Sequence, residues 1–172
     1  MLKKSSILLL ILISLYFVVP NIVNAQAKYV GTKVCGMCHK TEKQGQQLKI
    51  WTESKHSKAF TVLSSDKGKE IAKGKDATKM AECLKCHVGD KALQESAFKE
   101  DGVQCETCHG AGSEYKAMAV MKKKEDAVAK GLIDHKDVEK FCKTCHNSEG
   151  HPKPEFKYSE MVKKIAHAVP KG

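Results

Sequence analysis

The sequence predicts a mainly α chain with long loops and little or no β-sheet, folded around something other than its own side chains. Three observations lead there. All eight cysteines fall in four pentads: Cys35-Gly-Met-Cys38-His39, Cys83-Leu-Lys-Cys86-His87, Cys105-Glu-Thr-Cys108-His109 and Cys142-Lys-Thr-Cys145-His146. Aromatic residues make up only 6% of the chain, too few for a conventional core. No stretch shows the β-branched, period-two alternation of a strand.

Cys-x-x-Cys-His is the attachment signature of c-type haem. The two thiols add to the two vinyl groups of one haem, and the adjacent histidine lies beneath the iron as its proximal ligand. Simpler readings also exist. An exported chain with eight cysteines can form four disulfides. Cys86 and Cys105 are separated by eighteen residues, which also suits a zinc ribbon. Neither asks for a histidine after every second cysteine. With 8 histidines in 172 residues, four such placements by chance occur on the order of a few in a million, which favours haem. Thioredoxin-like redox pairs fail because no βαβ pattern surrounds them. Cys35, Cys38, Cys83, Cys86, Cys105, Cys108, Cys142 and Cys145 are thus expected to hold four c-type haems covalently. His39, His87, His109 and His146 are the expected proximal iron ligands. Porphyrin faces then supply the apolar burial that the side chains lack.

The elements follow in order. Residues 1–25 read as a cleaved signal peptide: Lys3 and Lys4, an apolar run from Ile7 to Val19, then Val23-Asn24-Ala25 as the small-residue site. Residues 26–172 form a single exported domain, with no stable membrane span once the leader is removed. Residues 41–63 are expected to be helical, bent or broken near Ser54. Residues 64–79 are a polar Lys- and Gly-rich connector, and 91–99 a helical turn or two. Residues 113–131 are the clearest helix, with Tyr115, Met118 and Met121 three apart and Gly131 as its stop. Residues 151–158 are extended. Residues 159–170 make a last helix, opened by Ser159 and closed before Pro170.

Four histidines lie outside the pentads: His56, His135, His151 and His167. Each is either a solvated surface group or the sixth ligand of an iron whose cysteines lie far along the chain. Ligation gives a low-spin centre suited to electron transfer.

The chain resembles the cytochrome c-554 family of small periplasmic tetrahaem cytochromes. The matching stretches are "CGMCHK" followed by "WTESKHSKAF", then "ECLKCHVGD", "GVQCETCHGAGSEY", "FCKTCHN" and "FKYSEMVKKIAH". The Trp-x-x-x-x-His-x-x-Ala and Gly-Val-x-Cys-Glu-x-Cys-His-Gly-x-Gly elements carry the specificity. The resemblance implies a small multihaem cytochrome c fold, with His56 and a histidine at or near His167 as distal ligands. It also implies a five-coordinate, open iron on the second motif. The family's distal histidine about eleven residues after the third motif is missing here. Met121 or His135 is the candidate in its place, since methionine is an established axial partner of histidine. Ordinary helix packing is the better reading of Met118. His151 lies in a Pro-flanked loop soon after the fourth motif, where ligation stays open.

The formal net charge is +10, or +8 without Lys3 and Lys4. Export excludes nucleic acid as a partner, and haem propionates offset much of this charge. The lysines then read as counter-charges and a surface that steers partners. Lys122-Lys123-Lys124 reads as a solvated face rather than a docking patch. No Ser-His-Asp set, carboxylate pair or phosphate loop points to an enzyme. The expected function is periplasmic electron transfer between redox proteins, by a monomer or weak dimer. The resemblance implies a hydroxylamine oxidoreductase-like donor and a quinone-linked or other cytochrome acceptor. The alternatives are nitric oxide reduction at an open haem and an extracellular cytochrome wire.

Overall fold

The computed structural model describes residues 26–152 and 154–169. The expected signal peptide lies outside them. The described residues are helical, with no strand among them. Ten short α-helices follow in order: α1 Thr32–Gly36, α2 Gln47–Glu53, α3 Asp66–Ile71, α4 Ala81–His87, α5 Lys91–Gln94, α6 Cys105–His109, α7 Met118–Met121, α8 Lys124–Ala129, α9 Val138–Cys142 and α10 Tyr158–Met161. None is long and apolar enough to cross a membrane.

Local chemistry explains the shortness. Gly31 precedes α1 with φ +82°, and a Cβ there would sit 2.5 Å from the Phe98 ring. Only glycine fits. Helix α2 stops at Ser54, whose backbone is extended. The Ser54 hydroxyl donates to the Trp51 carbonyl at 2.7 Å and accepts from the His56 N–H at 3.2 Å. This side chain competes with the helix for backbone groups, as serine does, and the expected break near Ser54 is present. The segment before Gln47 is turns rather than helix. Asp90 and Asp137 cap α5 and α9 by accepting from Leu93 and Lys140 N–H groups at 2.8 and 2.9 Å.

Three expectations are corrected. The connector at 64–79 contains α3, because Ser65 accepts from the Gly68 N–H at 3.1 Å and starts a helix. The helix expected over 113–131 is two, α7 and α8, divided at Lys123, where the backbone is extended. The last helix covers only Tyr158–Met161 and a 3-10 turn at Val162–Lys164. His167 therefore lies in the coil beyond it.

The side-chain core is small and sits around α3, α4 and α5. Leu63, Ala72, Ala77, Leu84, Val88 and Leu93 are buried together, and Tyr29, Phe60, Met80 and Phe98 pack against them.

Candidate functional site

Each pentad is close to one helical turn. The second and third lie within α4 and α6. The first and fourth close the same turn with backbone bonds, His39 N–H to Cys35 C=O at 3.0 Å and His146 N–H to Cys142 C=O at 2.9 Å. Positions i, i+3 and i+4 of a helical turn share one face. The two sulfurs and the ring of each motif therefore project to one side. All eight cysteines are free thiols rather than disulfides. Among the described residues, no three His, Cys, Asp or Glu side chains converge on a metal-ion position.

Three of the four histidines outside the motifs each face a motif histidine. His56 faces His146 with ring centres 6.0 Å apart, His87 faces His151 at 6.1 Å, and His109 faces His167 at 5.8 Å. Each pair joins a motif histidine to one remote in sequence or outside any motif. A metal–imidazole bond is about 2 Å, and the ring centre lies roughly 1 Å beyond the nitrogen, so two rings on one iron stand about 6 Å apart. All three pairs match that separation. A cavity of ≈ 600 Å³, lined among others by Lys143, His146, His151 and Phe156, lies in the size range of cofactor sites. These residues fit covalently attached haem.

Electrostatics agrees with ligation. Burial lowers the His56 pKa, and His146 adds to the effect. Burial pushes His109 down to about 4, helped by His167, His135 and His39. Burial also lowers His39, again with His167, while the nearby Gln47 side chain opposes the shift. Neutral imidazoles are the form that binds iron. The His87 Nδ1–H donates to the Ala59 carbonyl at 2.6 Å. Such a bond sets the tautomer and directs the Nε2 lone pair elsewhere.

His135 is placed differently. Its Nε2 donates to the Cys108 carbonyl at 2.7 Å, and its ring packs on Phe141 with centres 4.0 Å apart. Met121 ends α7, half-buried. Met118 is 64% exposed, so helix packing does not account for it.

The motifs adjoin one another, the first with the third, the third with the fourth and the second, and the fourth with the second. The Cys35 and Cys105 thiols lie close enough to shift each other's pKa, Cys35 up and Cys105 down. Cys108 feels the charges of Cys142 and Cys145. The Cys145 thiol points to the Lys85 carbonyl at 3.9 Å.

Residues between the cysteines, which the attachment motif itself leaves unspecified, hold this arrangement. Glu106 is 2% exposed. Its carboxylate accepts from the N–H groups of Val30, Gly31 and Gly112 at 2.7–3.1 Å, and from the Gln104 amide at 3.3 Å. Thr107 donates to the Val88 carbonyl at 2.8 Å, joining α6 to the end of α4. The Trp51 indole N–H donates to the Val103 carbonyl at 2.8 Å. The Val103 N–H in turn donates to the His56 carbonyl at 3.1 Å. Gly102, at φ +73°, lets this crossing happen, since a Cβ there would meet the His56 carbonyl at 2.7 Å. Both specific sequence elements thus meet at one crossing. The Gly-Val-x-Cys-Glu pattern was the available signal for Glu106.

Residues 34–110 match the family model for cytochrome c554 and c-prime. The chain is 30% identical to cytochrome c-554 of Nitrosomonas europaea over 182 aligned positions, which cover 82% of this chain and 74% of that protein. No solved structure matches significantly.

Proposed function

The chain belongs to the cytochrome c-554 family, a c-type cytochrome that carries electrons on covalent haem, and from that premise we propose a periplasmic tetrahaem carrier. The observation that carries the proposal is the set of three histidine pairs, each near 6 Å between ring centres. Bound haem supplies reversible one-electron iron chemistry. The chain supplies attachment, axial ligands and spacing.

In this reading the eight cysteines anchor four haems, and His39, His87, His109 and His146 are proximal ligands. His56 is the distal partner of His146, and His167 that of His109. His135 is a packing group, because its Nε2 is taken by the Cys108 carbonyl. That leaves Met121 as the remaining distal candidate, and methionine raises the potential relative to a second histidine. The contacts between motifs support close spacing of the four attachment sites, which would let electrons pass between neighbouring haems. The lysine-rich surface steers acidic redox partners. A hydroxylamine oxidoreductase-like donor and a cytochrome or quinone-linked acceptor are the partner classes proposed.

The test is haem content. Protein matured in a host competent for cytochrome c assembly should give four haems per chain by pyridine haemochrome, retained through acid–acetone extraction. Two or fewer would end the tetrahaem reading.

A further inference from the structure

His151 stands apart from the pattern the resemblance implies. That pattern leaves the iron of the second motif open. Here a histidine faces His87 at 6.1 Å between ring centres, the same relation that joins His56 to His146 at 6.0 Å and His109 to His167 at 5.8 Å. We propose that His151 is the sixth ligand of the iron held by His87, closing the haem on the second motif with the loop that follows the fourth.

Three independent features support this. The first is hydrogen bonding. The His151 Nδ1–H donates to the Pro152 carbonyl at 3.0 Å, and the His87 Nδ1–H to the Ala59 carbonyl at 2.6 Å. Both rings are held by Nδ1, so both carry the lone pair on Nε2. That is the arrangement of a metal-ligating histidine whose other nitrogen is anchored by a carbonyl.

The second feature is the loop. The Asn147 amide donates to the Lys143 and Thr144 carbonyls at 3.2 and 3.0 Å, and its oxygen accepts from the Glu149 N–H at 2.9 Å. The His151 N–H donates to the Glu149 carbonyl at 3.2 Å. Pro152 follows directly and restricts the backbone at His151 to extended forms. The loop is a folded strap, not a loose excursion.

The third is position. Cys145 lies against the Lys85 carbonyl, so the second and fourth motifs are neighbours. His151 is five residues beyond His146, a reach of at most about 18 Å. One short strap therefore offers His146 to one iron and His151 to the next. The proposal predicts a saturated iron at the second motif, without room for carbon monoxide or nitric oxide unless His151 is displaced.

The proposal rests on haem attachment to all four motifs, and haem count separates the two. Fewer than four haems in the parent protein faults the attachment reading. With four present, His151→Ala decides the ligand. The variant should keep four haems, gain one high-spin iron per chain in the low-temperature EPR spectrum of the oxidised protein, and bind one more carbon monoxide per chain when reduced. Added imidazole should return both readings to parent values. If His151→Ala keeps four haems with parent EPR and carbon monoxide binding, the proposal is overturned. Should that variant lose haem, His151→Met decides. A low-spin iron with a new sulfur-to-iron charge-transfer band and one raised potential supports ligation. Unchanged spectra and potentials overturn it. A parent protein whose second-motif haem turns over nitric oxide rapidly also overturns it and restores the catalytic alternative.

Discussion

Residues 59–98 and residues 130–169 each carry one Cys-x-x-Cys-His motif, yet they are held in opposite ways. The first stretch contains Leu63, Ala72, Ala77, Leu84, Val88 and Leu93, all buried against one another. The second contains no buried residue among those described. Three of its ring contacts reach out to other parts of the chain: His146 to His56, His151 to His87, His167 to His109. Phe156 stacks on His146 with ring centres 4.5 Å apart, so even its aromatic packing leads to a motif. One stretch is organised by apolar side chains, the other by the histidines proposed to bind iron. Where ligands exist only in the folded state, the free energy of binding is free energy of folding. The C-terminal stretch should depend on haem far more than the central one.

The largest expected effect follows from removing haem altogether. In chain produced without cytochrome c maturation, amide hydrogen exchange should run at unprotected rates throughout 130–169. The segment from Leu63 to Leu93 should keep measurable protection, since its apolar contacts persist without cofactor. Simultaneous loss of protection in both stretches would break the comparison. It would mean that this small cluster cannot stand alone, as tiny cores often cannot.

A smaller effect separates the stretches in the haem-loaded protein. Leu93 is fully buried, and Val138 is 42% exposed at the start of α9. Leu93→Ala should cost about 2–5 kcal/mol through lost transfer energy and a cavity. Val138→Ala should stay within about 0.5 kcal/mol, as exposed substitutions do. Chemical denaturation followed by far-UV circular dichroism measures both. Equal losses would show an apolar interior in the C-terminal stretch that its exposure does not suggest.

The same contrast governs what could be read from the residues. The pentads, the lack of strands and the break at Ser54 were legible because each is a local pattern. The division of 113–131 at Lys123 was not. Tyr115, Met118 and Met121 are three apart, which reads as one helix face, but Tyr115 turns inward to donate to the carbonyls of His109 and Gly110 at 3.1 and 2.7 Å, while Met118 stays exposed. Periodicity cannot tell a helix from a loop anchored by one tyrosine hydroxyl. The partner of His151 was not legible for a different reason. It is near the fourth motif in sequence, and its opposition to His87 appears only when the second and fourth motifs meet in space. Glu106 was visible inside a specific pattern, but its partners, Val30, Gly31 and Gly112, lie on both sides of it in the chain.

Glu106 provides the smallest and most local test. Its buried carboxylate holds the entry segment near Val30 and Gly31 to α6 through backbone N–H groups at 2.8–3.1 Å, and it also accepts from Gly112 at 2.7 Å. Glu106→Gln preserves size but turns one acceptor oxygen into an amide that points donors at donors. A buried hydrogen-bonding group left unmatched costs about 1–3 kcal/mol, less than the upper range expected for Leu93→Ala. Because the contacts are polar and confined to one crossing, the damage should be confined too. Exchange protection should fall at residues 28–32 and at Gly112, while 130–169 keeps its parent rates with four haems attached. The central cluster should also hold, since Tyr29 only packs on its edge. Loss of protection spreading into 130–169 would mean that the C-terminal stretch is supported through α6 rather than through its own histidines. The division between a side-chain-held centre and an end proposed to be held by iron would then have to be redrawn around Glu106.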